Sequence, residues 1–171
     1  MKIRSGFISN SSSSSFVFAM DRLPTSPKDC INFIDNIKSM EWDDHYHDQL
    51  TSTSLLNIFF KLITEKGKEL TFDVPKNEYS FRFKSLVAKM VDYLSYSSFL
   101  EIGERDEYDQ VKLGDYVDFD LGNKICIEFL KKHLGRKVVF VEISDENING
   151  EGVLEHCKEM YKIEFIVGYN H

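Results

Sequence analysis

Apolar residues recur along the chain with two periods, one helical and one strand-like. Cys30, Phe33, Ile34, Ile37 and Met40 are spaced three or four apart, so they share one face of a helix over 27–40. Ser26 stands at its N-cap and Pro27 at its first position. Thr51 to Lys66 repeats the spacing with Leu55, Ile58, Phe59, Leu62 and Ile63, and Gly67 stops it. Phe83, Leu86, Val87, Met90, Val91 and Leu94 form the clearest stripe, predicting a helix over roughly 80–95. Residues 123–134 fit a helix between Asn123 and Gly135, although Ile125-Cys126-Ile127 fits a strand equally. Glu151–Met160 reads as a short helix.

Strand patterns occupy Phe16–Met20, Leu70–Val74 (ended by Pro75) and Tyr161–Val167. Tyr116–Leu121 alternates, with Val117, Phe119 and Leu121 on one face and Tyr116, Asp118 and Asp120 on the other. Val138–Ile143 is nearly continuous apolar and reads as a central strand. Ser95–Glu107 reads as a polar connection and Asn147–Gly150 as a turn. The expected fold is α+β, a small mixed or antiparallel sheet covered on one face by helices, in a single domain over 1–171. Within it, 1–20 is an opening motif and strand, 26–100 is mainly helical and 108–171 is sheet-rich.

Composition narrows the picture. The chain has 171 residues, 42% of them hydrophobic, with 14 Phe and 8 Tyr, enough for a sizeable core. A net charge of −7 argues against a basic face for free duplex DNA. It suits either plain solubility or a partner with a basic groove. Cys30, Cys126 and Cys157 are too widely spaced for a disulfide framework or a zinc knuckle, so reduced thiols are expected. No stretch has the 18 or so apolar residues of a membrane span, and serines stand where a signal peptide has its apolar region. A cytoplasmic protein with no membrane partner is expected.

The opening segment is the least ordinary part. Gly6-Phe7-Ile8-Ser9-Asn10 leads into Ser11, Ser12, Ser13, Ser14 and Ser15, then Phe16-Val17-Phe18. Serine-rich chain is ordinarily flexible linker. Here apolar flanks on both sides argue for a fixed loop, whose backbone N–H groups and hydroxyls suit an anion such as phosphate. Arg4 adds charge, and Asn10 with Ser11–Ser15 completes the candidate binding set.

The same residues resemble the Gly-Phe-(Val/Ile)-Ser-Asn, serine run and Phe that open many small proteins of phages, plasmids and conjugative elements of Gram-positive bacteria. Several type II-A anti-CRISPR proteins are among those it resembles. The match covers about the first 18 residues. Leu154-Glu155-His156 and the terminal His171 are similar to a Glu-His-Gly … His ending of some relatives, with Cys157 in place of Gly and one His in place of a pair. The resemblance implies an inhibitor of a type II CRISPR effector nuclease in a bacterial host cell. The resemblance also implies the effector and its guide RNA as partners, and in some such inhibitors activity is lost through blocked guide loading or truncation of the guide. The alternative is a phage or plasmid accessory protein with a docking or processing N-terminus and an unrelated C-terminal binding function.

Three polar groups are candidates for chemistry. Asp43, Asp44, His45, His47 and Asp48 place two imidazoles on one side of an extended segment, as a metal site needs, but also read as a solvated loop. Asp118 and Asp120 share a strand face, where paired carboxylates hold Mg²⁺ in phosphodiester cleavage, though a wet strand face has the same pattern. Glu155, His156 and His171, with Glu142 or Asp145, are the candidate catalytic group, because histidine serves as base and acid for metal-free RNA cleavage near neutral pH. Lys158, Lys162 or Arg136 supplies charge for a phosphorane. Trp42, Tyr46, Tyr93, Tyr96 and Phe99 are available for base stacking. No cofactor or metal is expected.

Overall fold

The structure, a computed structural model, describes residues 13–34, 52–95, 97, 99–104, 107–112, 119–144, 151–156 and 160–170. Six strands form one sheet: β1 (Ser13–Met20), β2 (Thr71–Asp73), β3 (Phe99–Glu104), β4 (Glu107–Lys112), β5 (Lys137–Ser144) and β6 (Phe165–Asn170). Their order is β2-β5-β1-β6-β3-β4, and every pairing is antiparallel. Four α-helices are described: α1 (Ser52–Lys61), α2 (Phe81–Leu94), α3 (Phe119–Lys132) and α4 (Glu151–His156). The α+β class and the antiparallel sheet agree with the sequence pattern.

Helices cover both faces of the sheet rather than the expected one. The cause is in β1, where both residue parities are apolar. Phe16, Phe18 and Met20 enter one core with Val139, Val141, Ile143, Phe165 and Val167, closed by Leu55, Phe59, Leu62 and Ile63 of the α1 region and Leu154 of α4. Val17 and Ala19 enter a second core with Val138, Phe140 and Ile166, closed by α2 and α3. Side chains alternate across a strand, so a strand apolar at successive positions needs a cover on each side. In the first core the Phe18 ring lies 4.9 Å from Tyr161 and 5.5 Å from Phe59.

α2 forms where its stripe predicts. Ser80 caps it by accepting from the Phe83 N–H at 3.1 Å, and Phe83, Leu86, Val87, Met90, Val91 and Leu94 are all buried. α1 runs into one wide turn, Leu62–Lys66, closed by the Gly67 N–H donating to the Leu62 carbonyl at 2.9 Å. A Cβ at Gly67 would collide with the Val139 side chain and approach the Ile63 carbonyl oxygen at 2.8 Å, so glycine lets this turn press onto β5. At Gly135 the backbone itself requires glycine, with φ 79° between α3 and β5.

Four expectations give way. Pro27–Asn32 forms a short 3-10 helix instead of the start of a long α-helix, because the segment ahead of β6 claims the backbone beyond it. The Phe33 carbonyl accepts from the Lys162 N–H at 2.7 Å, and Ile34 bridges Tyr161. Residues 35–40 lie outside the described residues. Phe119–Leu121 belongs to α3 and not to a strand, because Leu121 extends the stripe of Ile125 and Phe129 at four-residue spacing. The expected polar connection holds β3 and the start of β4, which alternate too weakly and carry too many charges to read as strands. The last strand is Phe165–Asn170, later than the expected Tyr161–Val167.

Candidate functional site

The serine run is central to the site, and its described part is strand. Ser13, Ser14 and Ser15 pair with Ser144, Ile143 and Glu142 of β5 on one side. They pair with Asn170, Tyr169 and Gly168 of β6 on the other. A strand paired on both edges spends its N–H and C=O groups in the ladder, so these three residues do not offer the backbone nest that a fixed loop would. Arg4, Asn10, Ser11 and Ser12, the rest of the candidate binding set, lie outside the described residues.

The strand pleat sends Ser14 and Ser15 to opposite faces. Ser14 is fully buried, and its Oγ donates to Glu155 Oε1 of α4 at 2.5 Å. Glu155 is 2% exposed. A hydroxyl-to-carboxylate hydrogen bond this short and this buried is among the stronger kinds. It fixes α4 over the first core, where the Tyr161 hydroxyl also donates to the Leu154 carbonyl at 2.7 Å. On the other face Ser15 lies near the Tyr93 hydroxyl. Burial, and then the Glu142 charge, push the Tyr93 pKa above the ordinary phenol range, while the Ser15 hydroxyl acts against them. Ser97 is buried on the same face and packs against Gly168, which pairs with Ser15.

Of the candidate catalytic group, Glu155 is thus committed to Ser14. His156 closes α4 in the chain, but its side chain is outside the described residues, as is His171. Asp145, Lys158, Asp118 and the cluster from Asp43 to Asp48 lie outside them too. Asp120 is exposed in the first turn of α3. Glu142 is exposed on β5, far along the sheet from Arg136, which precedes that strand. Among the described residues no three of His, Cys, Asp and Glu gather as metal ligands. Burial pushes the thiols of Cys30 and Cys126 up to about 12, which leaves them unreactive thiols in the two cores.

Sequence reasoning passed over His133. It is 1% exposed, just after α3. Arg136 Nη1 lies 2.8 Å from its Nδ1, and Glu164 Oε2 lies 2.6 Å from its Nε2. A guanidinium only donates, so Nδ1 accepts and the ring proton sits on Nε2, facing the carboxylate. Arg136 Nε in turn donates to Asp21 Oδ1 at 2.7 Å. The Arg136 guanidinium takes up the Nδ1 lone pair, so the imidazole is not poised as a base. The close approach of Glu164 to Nε2, which is out of line for a hydrogen bond, sets α3 beside the entries of β5 and β6. The signal was Gly135-Arg136 just beyond a helical stripe, which marks a helix end but not the carboxylate 31 residues later.

Among the described residues β2 pairs only with Lys137–Val139 of β5. Beyond it a cavity of about 380 Å³ opens along β5, lined by Lys66, Leu70, Tyr93, Phe140, Val141, Glu142, Ser144 and Glu151. Lys66 and Glu151 are joined at 2.6 Å on its wall.

Set against known proteins, the chain matches no family model, no curated protein and no solved structure. Among the described residues no helix is long and apolar enough to cross a membrane.

Proposed function

We propose that the protein inhibits a type II-A CRISPR effector nuclease by binding it together with its guide RNA, in the cytoplasm of a bacterial host cell. The observation that carries this reading is the opening motif, Gly6-Phe7-Ile8-Ser9-Asn10 with five serines and Phe16, which resembles that of type II-A anti-CRISPR proteins. The net charge of −7 supports it, since an acidic protein complements the positively charged channel in which such effectors hold nucleic acid. Binding has more support than guide cleavage, because Glu155 is buried and engaged with Ser14. A detachable docking or processing segment has less, because Phe16 and Phe18 of the motif are fully buried.

The test is target cleavage by the effector–guide complex with and without the purified protein, with the guide run on a denaturing gel. Lost target cleavage with intact guide is the expected result. Guide shortened only when the effector is present would replace binding with RNA cleavage and bring His156, His171 and Glu155 forward. Full target cleavage under excess protein would reject the inhibitor reading.

A further inference from the structure

We propose that the outer face of α2 and α3 binds single-stranded nucleic acid through stacking on Tyr79 and Phe81. These are the two most exposed large hydrophobic residues described, at 79% and 84%. Neither is needed for the core, since the α2 stripe starts at Phe83. Phe81 opens α2, and its helical neighbours on the outer face are Arg82, Lys84, Ser85 and Ala88. Tyr79 precedes the cap, beside Glu78, which pairs with Lys131 of α3 at 2.8 Å. That pair keeps the start of α2 against the end of α3 and sets Lys131 near Tyr79, whose hydroxyl bonds the same Glu78 carboxylate.

Charge distinguishes this face from the rest of the molecule. α2 and α3 carry six Lys or Arg against three Asp or Glu, whereas the whole chain carries 21 against 28. Arg82, Lys84 and Lys124 are exposed and make no ion pair among the described residues. Isolated aromatic faces among cations match a strand whose bases are free to stack and whose phosphates need neutralising. A protein hot spot or a membrane anchor would want a contiguous apolar patch around the rings, and here the chain neighbours are Asn77, Glu78 (neutralised by Lys131), Ser80, Arg82 and Lys84. A duplex hides its base faces and gains nothing from the rings. This inference does not depend on the inhibitor reading, and no effector is used in its test.

The experiment measures fluorescence anisotropy of a labelled, unstructured RNA of about 12 nucleotides, and of the same sequence as DNA, at about 50 mM salt and above. Binding of either strand is expected, with affinity falling as salt rises. The double variant Tyr79→Ala/Phe81→Ala should bind at least about fivefold more weakly, and Arg82→Gln/Lys84→Gln should flatten the salt dependence. Both pairs are solvent-facing, so thermal melts should match the parent chain. The proposal is overturned by no binding at low salt, or by unchanged affinity in the aromatic variant. It is equally overturned if the matching duplex, or vesicles of anionic phospholipid, bind as tightly as the single strand.

Discussion

Single residues show most plainly where a side chain's neighbours, rather than its type, decide its role. Asp29 is an ordinary acidic residue in the sequence, yet its carboxylate accepts from the Thr25 hydroxyl at 2.6 Å and the Thr25 N–H at 2.8 Å. The hydroxyl, then the N–H, hold its pKa below the ordinary carboxylate value, with Arg22 adding a smaller pull. A depressed folded-state value means that the stabilisation is present above the ordinary range and lost as pH falls through the folded-state value. Thr25→Val should therefore move the Asp29 titration upward in an NMR pH series; an unmoved midpoint would show that the hydroxyl is not the cause. His133 teaches the same lesson from the other side. Its burial and both of its ring partners come from tertiary packing, so no local pattern announces them. Glu155 was legible as a candidate from its place beside His156, but its Ser14 partner comes from the other end of the chain.

Elements were legible where one stripe of side chains decided the matter. α2 lies within a residue of its expected bounds and β5 within one at each end, because their apolar runs are long and unambiguous. β3 and β4 were not, since a hairpin at the sheet edge owes its existence to pairing with β6 and not to its own apolar content. β1 is a mixed case. Phe16–Met20 reads as strand, but Ser13–Ser15 becomes strand only because β5 and β6 extend far enough to pair with it. The hydroxyl of Ser14 then joins that strand to α4. Ser14→Ala should leave the Glu155 carboxylate without this donor and cost about 1–3 kcal/mol, read as a lower midpoint in urea denaturation. A midpoint unchanged from the parent would mean that α4 is held by Leu154 and its neighbours alone.

At the scale of the molecule, the two cores lie on opposite faces of the sheet, and β1 contributes to both. Deleting residues 1–16 would remove Ser13, Ser14, Ser15 and Phe16 from the middle of that sheet. The truncated chain should lose the near-UV circular dichroism of the native protein and refuse to refold, whereas a chain that kept its fold would make the opening motif an appendage. Two-sided coverage escaped the sequence because Phe16-Val17-Phe18 is equally compatible with a buried strand of either architecture, and only the helices beneath and above decide between them. The strand order has a consequence for synthesis. Among the described strands β1 leaves the ribosome first, yet its partners β5 and β6 are the last two made. Until Lys137–Ser144 has been made its two phenylalanines have no native strand to lie against, and closing that distance is slow. The nascent chain is thus a natural client for a chaperone that shields extended apolar segments, and the sheet can be completed only after β6 has emerged.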